Sequence, residues 1–300
     1  MGVADRLTDA HALARVRVAL LAWYTTARRD FPWRRTNDPY AVLVSEVMLQ
    51  QTQASRVAER FPTFMERFPT AEALADASEA QVLAAWSGLG YNRRALALRR
   101  AATGVVARGW PPDVAGLERL PGVGPYTARA VASLAFGEPL GVVDTNVRRW
   151  LIRRFALPTD TRPPDLQRLA DALAKVGDRG DAAAWTHATM EFGAGICAQP
   201  ARCDACPIRE GCPSRGAAAA VPVPRQQAFA GSDRELRGGL LRALTAAPGH
   251  ALTGAAARGV IGDEVYPRIV GGLERDGLVH RSGRRLLLGG RPEPPATIGP

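Results

Sequence analysis

Residues 120–146 read LPGVGPYTARAVASLAFGEPLGVVDTN. The glycines of this stretch predict a tight hairpin turn, because glycine lets the backbone approach another surface closely. A helix is predicted to follow from Tyr126 to Phe136, and its first N–H groups have no partner within the helix. The backbone at Gly122, Val123 and Gly124 would then suit a phosphate without reading bases, although an ordinary turn between two helices has the same spacing.

Helical patterning extends on both sides of this hairpin. Apolar residues recur at helical spacing, and alternating strand patterns are nearly absent before residue 215. The first two thirds of the chain are therefore predicted to be all-helical. The predicted helices span 11–27, 39–49, 54–67, 71–75, 79–86, 93–107, 126–136, 145–155, 164–176 and 182–196.

A second unit is predicted after a linker at 216–231, which is rich in alanine and proline. Helical patterns at 234–246, 252–259 and 263–276 precede two short strands, 278–281 and 285–288, with a turn at Ser282-Gly283. Three helices and a terminal hairpin predict a winged-helix-like module at 232–290. The proline-rich tail, 291–300, is expected to be disordered.

Composition restricts the class of protein and its partners. The chain has 300 residues, of which 46% are hydrophobic and 23% charged, so it can bury a core and has the length of about two domains. Its net charge is +10, and Lys175 is the single lysine beside 38 arginines. Such a surplus of guanidinium groups favours a polyanion such as nucleic acid. The sequence contains neither a long apolar run nor a signal-peptide pattern, and we therefore expect a soluble, cytoplasmic protein with no membrane partner.

The four cysteines lie close together in the sequence, at Cys197, Cys203, Cys206 and Cys212. Four thiolates in one short loop suit a metal centre in a reducing compartment better than a disulfide framework. Their spacing leaves a four-iron cluster and a zinc ion both open.

Two carboxylates stand in unusual sequence contexts. Asp144 follows an apolar run and precedes an arginine-rich helix, where it can cap the helix and also face a ligand. Glu46 lies among apolar residues on most sides of its helix, so burial should raise the pKa of its carboxyl. A raised carboxyl pKa is what a general acid requires.

These residues resemble a known family over residues 31–212. The chain is similar to the MutY-type adenine DNA glycosylases of the endonuclease III, helix-hairpin-helix superfamily. The resemblance rests on the hairpin, the four-cysteine loop and the motifs Pro32-Trp33-Arg34, Ser45-Glu46-Val47-Met48-Leu49-Gln50-Gln51-Thr52, Gly88-Leu89-Gly90-Tyr91 and Val143-Asp144-Thr145-Asn146. It implies a mostly α, endonuclease III-like two-domain fold. An iron-sulfur cluster domain would comprise 1–30 and 137–215, and a six-helix barrel with the helix-hairpin-helix would comprise 31–136.

The resemblance also implies roles for individual residues. Glu46 would protonate an extruded adenine at N7, and Asp144, within the motif that includes Asn146, would stabilise the oxocarbenium sugar or trap it covalently. Tyr126 stands where strand-cleaving relatives carry a catalytic lysine, which favours hydrolysis without strand cleavage. The residues implied to contact substrate are Gln51 and Tyr91 as wedges in the base stack, and Arg29, Trp33, Arg34 and Glu191 in the adenine pocket. The implied cofactor is a 4Fe-4S cluster on the four cysteines.

Two features depart from that family. The first cysteine gap has five residues where six are usual, so the loop must tighten. The Nudix-like domain that contacts 8-oxoguanine in the family is not recognisable after residue 214, which leaves recognition of the opposite base open. Residues 215–300 instead carry twelve arginines against seven acidic residues, a surplus that suits phosphate contact.

The expected function is excision of adenine mispaired with 8-oxoguanine or guanine, by a monomer acting on double-stranded DNA. One alternative is a thymine or oxidised-pyrimidine glycosylase of the same superfamily, and another is a non-catalytic protein that binds damaged DNA. The arginines near the motifs are interpreted as a DNA-facing footprint. They are Arg93, Arg94, Arg99, Arg100, Arg129, Arg148, Arg149, Arg153 and Arg154.

Overall fold

The computed structural model describes residues 9–176, 179–216 and 229–290. The helices are α1 (Ala10–Ala27), α2 (Pro39–Leu49), α3 (Ala54–Arg67), α4 (Ala71–Asp76), α5 (Glu79–Ala85), α6 (Arg93–Arg108), α7 (Val114–Glu118), α8 (Pro125–Phe136), α9 (Thr145–Phe155), α10 (Pro163–Lys175), α11 (Ala182–Gly195), α12 (Asp233–Ala246), α13 (Gly254–Ile261) and α14 (Tyr266–Arg275). The strands are β1 (Ala251–Thr253), β2 (Val279–Ser282) and β3 (Arg285–Leu288). The mostly helical fold predicted from the sequence is confirmed.

Side chains at the helix ends explain where several helices begin. Asp9 caps α1 by accepting a hydrogen bond from the backbone N–H of Ala12 at 2.8 Å. At α5, Ser78 and Gln81 form a reciprocal capping box. The capping residues therefore locate the first residues of α1 and α5 in the sequence to within a residue or two.

Two elements differ from the sequence prediction. Helix α7, the first helix of the hairpin, was not predicted, because it is only five residues long and has Gly116 at its centre. The structure requires that glycine, since a Cβ at Gly116 would lie 2.6 Å from the Cβ of Pro111. The predicted helix at 252–259 is wrong at its start: residues 251–253 form strand β1, which three residues are too few to reveal by alternation, and the helix begins at Gly254.

Among the described residues, the first compact unit comprises 9–46, 111–119, 123–176 and 179–216. Within it, α11 packs against α1, α8 and α9. Trp150 and Phe192 meet edge to face in the core, with ring centroids 5.8 Å apart. This packing fixes α11 and the start of α9, which carry several of the candidate site residues.

Among the described residues, the second compact unit comprises 47–110, 120–122 and 229–290. Helices α4 and α5 pack against α6, and α12 and β3 pack against α5. The backbone N–H of Gly290 also donates to Glu79 Oε2 at 2.7 Å. Residues 233–290 therefore fold as part of this unit.

The C-terminal sheet has the strand order β1-β3-β2, and both pairs are antiparallel. Ser282 pairs with Arg285, so the two-residue turn consists of Gly283 and Arg284, one residue later than predicted. Gly283 has a φ of +56°, which glycine adopts readily. The structure thus contains the three helices and the terminal hairpin predicted for 232–290, and their interpretation as a winged-helix-like module stays a prediction.

The domain boundaries predicted at residues 30, 136 and 215 stay predictions. Linker residues 217–228 and the tail, 291–300, lie outside the described residues. No helix within the described ranges is both long enough and apolar enough to cross a membrane.

Candidate active site

Asp144 is held in place by its own helix. As the N-cap of α9, its Oδ1 accepts from the backbone N–H of Val147 at 2.6 Å. Its Oδ2 accepts from Asn146 Nδ2 at 3.0 Å, and Asn146 Oδ1 accepts from Arg149 Nη2 at 2.9 Å. Asp144 is only half-buried, so its carboxylate is fixed in position while remaining accessible to a ligand.

Close packing keeps this arrangement rigid. Arg149 donates onward to the carbonyl oxygens of Gly193 at 2.6 Å and Cys197 at 2.8 Å. A Cβ at Gly193 would lie 2.7 Å from the carbonyl oxygen of Asn146, so the approach of α11 to α9 requires glycine there. Asn146 and Arg149 thus connect the candidate catalytic carboxylate to the first cysteine of the loop.

Glu46 is a buried carboxyl beside Asp144. Its side chain is hydrogen-bonded by the Tyr126 hydroxyl, while its Oε2 has no hydrogen-bond partner among the described residues. Burial is the main cause that raises the pKa of Glu46 to about 7; the negative charge of Asp144 acts in the same direction, and the Tyr126 hydrogen bond and the Arg34 charge oppose the rise. Glu46 can therefore hold its proton up to about neutral pH, in a buried position close to Asp144.

Tyr126, the second residue of α8, faces this pair. Burial and the two nearby carboxylates raise the pKa of its hydroxyl well above the usual value of a phenol, so the hydroxyl stays protonated. The same hydroxyl lies 3.9 Å from the sulfur of Met190. Lys175 is the last residue of α10 and is exposed, so it does not take the place of a buried lysine at this site.

The residues predicted for a base pocket come together around Glu191. The buried Glu191 carboxylate accepts from Arg34 Nη2 at 2.6 Å and is also ion-paired with Arg29. Trp33 is buried and stacks on Phe31, with ring centroids 4.7 Å apart. Arg34 Nε is buried without a hydrogen-bond partner in the described residues, which leaves a donor available to a ligand.

Sequence reasoning missed His187. It lies one turn before Glu191 on α11, and burial together with the charge of Arg34 lowers its pKa to about 3. The imidazole is therefore neutral at physiological pH. The four-residue spacing from Glu191 was the available signal, since it places both side chains on one face of the helix.

The four cysteine side chains line one cavity in the first unit, and they form no disulfide. Arg153 Nη1 lies 3.6 Å from Cys197 Sγ and donates to the carbonyl of Ala198 at 2.8 Å. Burial raises the pKa of the Cys197 and Cys206 thiols, while Arg153 opposes that rise at Cys197. No group of three or more His, Cys, Asp or Glu side chains in the described ranges is arranged around a single point as a lone metal ion requires.

The two predicted wedge residues lie in the second unit and share an uncommon backbone conformation. Gln51 has a φ of +56° and Tyr91 a φ of +48°, although neither is glycine. Such residues persist where the surrounding structure holds them. Both are exposed, so their side chains are presented to solvent by a constrained backbone.

Arg94 provides that constraint. Its Nη1 donates to the carbonyls of Val47 at 2.8 Å and Met48 at 3.0 Å, at the end of α2. Its Nη2 donates to Leu89 at 3.2 Å and Gly90 at 2.9 Å, in the loop before Tyr91. One guanidinium group thus ties together the two loops that carry the predicted wedges.

The hairpin glycines serve different purposes. Gly122 has a φ of +78°, and a Cβ there would lie 2.7 Å from the Cβ of Ala97, so glycine is needed for both the turn and the packing. Gly124 is the N-cap of α8, and Pro125 opens the helix. Val123, between the two glycines, is buried, and the binding of a phosphate by the backbone of these three residues stays a prediction.

The interpretation of the nearby arginines as a DNA-facing footprint is wrong for several of them. Arg94, Arg149 and Arg153 donate to backbone carbonyls, and burial lowers the pKa of Arg94 to about 10. Arg129 is ion-paired with Asp171. Carbonyl oxygens at helix and loop ends attract guanidinium groups as phosphates do, and a sequence does not distinguish the two.

A helix-hairpin-helix together with a buried carboxyl of raised pKa beside a more accessible carboxyl is typical of the base excision DNA glycosylases. Residues 44–175 match the family model described as HhH-GPD superfamily base excision DNA repair protein. Among curated relatives, an adenine DNA glycosylase of Mycobacterium tuberculosis is 46% identical over 238 residues, covering 76% of this chain and 78% of the relative. The human adenine DNA glycosylase is 40% identical, covering 69% of this chain and 40% of the relative. The chain belongs to the adenine DNA glycosylase family.

Solved structures agree on the fold. A thermostable thymine-DNA glycosylase superposes with a TM-score of 0.63 at 29% identity, covering 68% of this chain and 97% of that one. A trapped endonuclease III–DNA covalent intermediate gives a TM-score of 0.58 at 22% identity, with 68% and 95% covered. The expected endonuclease III-like architecture is therefore confirmed.

Proposed function

We propose that this chain hydrolyses the N-glycosidic bond of adenine in double-stranded DNA, where adenine is mispaired with 8-oxoguanine or guanine. The observation that carries the proposal is the buried Glu46 carboxyl, with a pKa of about 7, beside the accessible carboxylate of Asp144. Two carboxyl groups whose environments separate their protonation states are the arrangement that glycosidic hydrolysis uses.

The geometry supports the following sequence of proton and bond changes. Glu46 gives its proton to a ring nitrogen of the extruded adenine, and the Tyr126 hydroxyl orients the Glu46 carboxyl. The bond from the sugar C1′ to the base then breaks, and the base leaves with the bonding electron pair. The Asp144 carboxylate stabilises the positive sugar or bonds to it transiently. Water adds its hydroxyl to C1′ and returns a proton to Glu46.

The pocket around Glu191 supports recognition of a purine. Arg34 and Arg29 hold the Glu191 carboxylate, and the remaining Arg34 donor, Nε, is available to a ring nitrogen. A carboxylate accepts hydrogen bonds from an exocyclic amino group, which adenine has and thymine lacks. Since no lysine lies at the site among the described residues, the reaction proposed is hydrolysis without strand cleavage. We propose that the protein acts as a monomer in the cytoplasm.

The direct test is an excision assay on duplexes that each contain one defined mispair. We expect alkali-labile sites from adenine opposite 8-oxoguanine or guanine. Excision from G:T or thymine-glycol duplexes alone would favour the pyrimidine alternative. Tight binding without excision of any base would favour a non-catalytic binder of damaged DNA.

The pH dependence of excision follows from Glu46. A general acid must be protonated, so the single-turnover rate should be highest below pH 7 and fall about tenfold per pH unit well above it. Binding to a duplex with an uncleavable adenine analogue should change little over the same range. A rate that rises steadily from pH 7 to 9 would contradict the role of Glu46 as an acid.

We further propose that the four cysteines hold a 4Fe-4S cluster. All four thiols line one cavity, and Arg149 and Arg153 donate to the loop that carries them, which suits a negatively charged group. When bound, the cluster would fix the loop at 197–212 and do no chemistry on the sugar. Zinc is the alternative for the same ligands, but a lone ion needs thiols that converge on one point, and the described residues show no such group.

Colour and metal content distinguish these two metals. The purified full chain should absorb visible light and contain about four irons per chain. Cys206→Ala should remove almost all of the iron and lower the melting temperature, because ligand loss uncouples metal binding from folding. Ser214→Ala is the matched control, since Ser214 lines the same cavity and should leave the iron in place. A colourless wild-type chain containing zinc would contradict the cluster.

A further inference from the structure

Arg94 lies in the first turn of α6, between the two loops that carry Gln51 and Tyr91, and no step of the chemistry above uses it. Helix α6 packs against α4 and α5, so the backbone of Arg94 is held in place. The residue is half-buried, and burial lowers the pKa of its guanidinium. A charge is kept in such a place where hydrogen bonds compensate for its lost hydration, so its partners indicate what it does.

This guanidinium donates to both loops at once. In the first loop, Nη1 donates to the carbonyl of Gln50, just before Gln51, and Nη2 donates to the Thr52 hydroxyl at 3.0 Å, just after it. In the second loop, Nη2 donates to the carbonyl of Gly90 at 2.9 Å, and Nε donates to the carbonyl of Tyr91 at 3.4 Å. Each residue with positive φ is therefore held through its nearest neighbours, and one planar group holds both.

Aromatic contacts strengthen the link to the second loop. The guanidinium carbon of Arg94 lies 5.4 Å from the ring centroid of Tyr91 and 5.4 Å from that of the fully buried Trp86. Trp86 Nε1 in turn donates to the carbonyl of Gly90 at 3.1 Å. Tyr91 is still 40% exposed, so the network fixes its backbone while part of its ring stays accessible.

We propose that Arg94 is a positioning residue for base extrusion, and that it makes Gln51 and Tyr91 act as one wedge rather than as two independent side chains. The inference rests on the proposed function, because extrusion of adenine is a step of it. A wedge fills the gap in the base stack most effectively when its side chains are already in place, since ordering them on binding opposes association. Residues in uncommon backbone conformations lose that placement when the group that holds them is removed.

Arg94→Lys separates the position of the donors from their charge. The lysine ammonium keeps the positive charge, but it is a single point on a flexible stem, whereas the guanidinium presents five donors in a rigid fork. One ammonium can bond to one loop and leave the other without its partner. Arg94→Gln removes both the charge and the fork, and it should be at least as defective as Arg94→Lys.

The test uses the full chain, measures extrusion directly and needs no excision. Duplexes carry 2-aminopurine, which fluoresces more strongly outside the base stack, on a 2′-fluorinated sugar that resists hydrolysis. In one duplex this base is opposite guanine, and in the other it is opposite a stable abasic-site analogue and therefore unpaired. We expect the wild type at saturating concentration to raise the fluorescence of both duplexes.

Arg94→Lys should lower the equilibrium constant for extrusion opposite guanine by about tenfold, since members of one hydrogen-bond network are coupled on this scale. The constant for the unpaired base should fall by about threefold or less, because a base without a partner is easier to unstack. Arg108→Lys is the matched control, the same substitution at the exposed last residue of α6, and both duplexes should behave as with the wild type.

Double variants test whether the two side chains act as one wedge. Gln51→Ala and Tyr91→Ala should each lower the equilibrium constant for extrusion in the otherwise wild-type chain. Each should have a smaller effect when it is combined with Arg94→Lys, because the wedge is then already displaced.

Three results would overturn the proposal: a wild-type constant in both Arg94 variants, equal loss on the two duplexes, or effects that multiply fully in the double variants. Equal loss would assign Arg94 to general stability. A wild type that leaves 2-aminopurine stacked in both duplexes would contradict the extrusion step, and the role of Arg94 with it. A wild type that extrudes the base but excises no adenine would contradict the proposed function alone.

Discussion

Replacing Glu46 by Gln is expected to lower the rate of adenine excision by about 10³-fold or more, because the variant loses general acid catalysis. The amide has nearly the same shape as the carboxyl, but it has no proton to give to the leaving base. Glu46 is 3% exposed, so bulk water does not readily substitute as the acid. Single-turnover kinetics on a duplex with adenine opposite 8-oxoguanine measure the effect.

Stability separates this loss from unfolding. Because burial raises its pKa, the Glu46 carboxyl keeps its proton to a higher pH in the folded state than in the unfolded state. The free energy of unfolding therefore falls as the pH rises from about 4.5 to about 7. Glu46→Gln removes that penalty, which amounts to ~3 kcal/mol at pH 8 as an upper bound. The variant should therefore melt no lower than the wild type at pH 8 while losing activity. Glu59→Gln, on the exposed surface of α3, should keep full activity as the matched control.

If Glu46→Gln kept more than a tenth of the wild-type rate, Glu46 would not be the acid. If activity and melting temperature fell together at pH 8, its main contribution would be structural. Either result would contradict the role of Glu46 as general acid, on which the proposed function depends.

The sequence predicted most of the helices because the apolar spacing and the capping residues point to the same boundaries. Asp144 illustrates this agreement, since its context marked both a helix start and a candidate catalytic acid, and the structure places it at the N-cap of α9. The burial of Glu46 was predictable for the same reason, because apolar residues surround it on its helix. These properties depend on neighbours along the chain.

Side-chain partners from distant parts of the sequence were not predictable. Arg94 was interpreted as DNA-facing, yet it donates to groups more than 40 residues earlier in the chain. Apart from the Thr52 hydroxyl, its partners are backbone carbonyls, which every residue carries and no motif reveals. The contact of Arg234 in α12 with the Tyr91 hydroxyl escaped prediction because the two residues lie 143 positions apart in the sequence.

Asp144→Asn is expected to lower excision by about 10² to 10³-fold, as loss of a preorganised electrostatic contact to a developing charge does elsewhere. Asn is nearly as good an N-cap as Asp, so Val147 should keep its hydrogen-bond acceptor and the melting temperature should change little. Asp144→Ala removes the cap as well and should cost about 1 kcal/mol of stability in addition to the same loss of rate. Asp9→Asn, the same change at the cap of α1, should leave the rate unchanged. If Asp144 acted only as a helix cap, the Ala variant should excise adenine much more slowly than the Asn variant. Equal rates in the two variants, with a lower melting temperature for Ala, would instead identify the negative charge of Asp144 as the group that acts on the sugar.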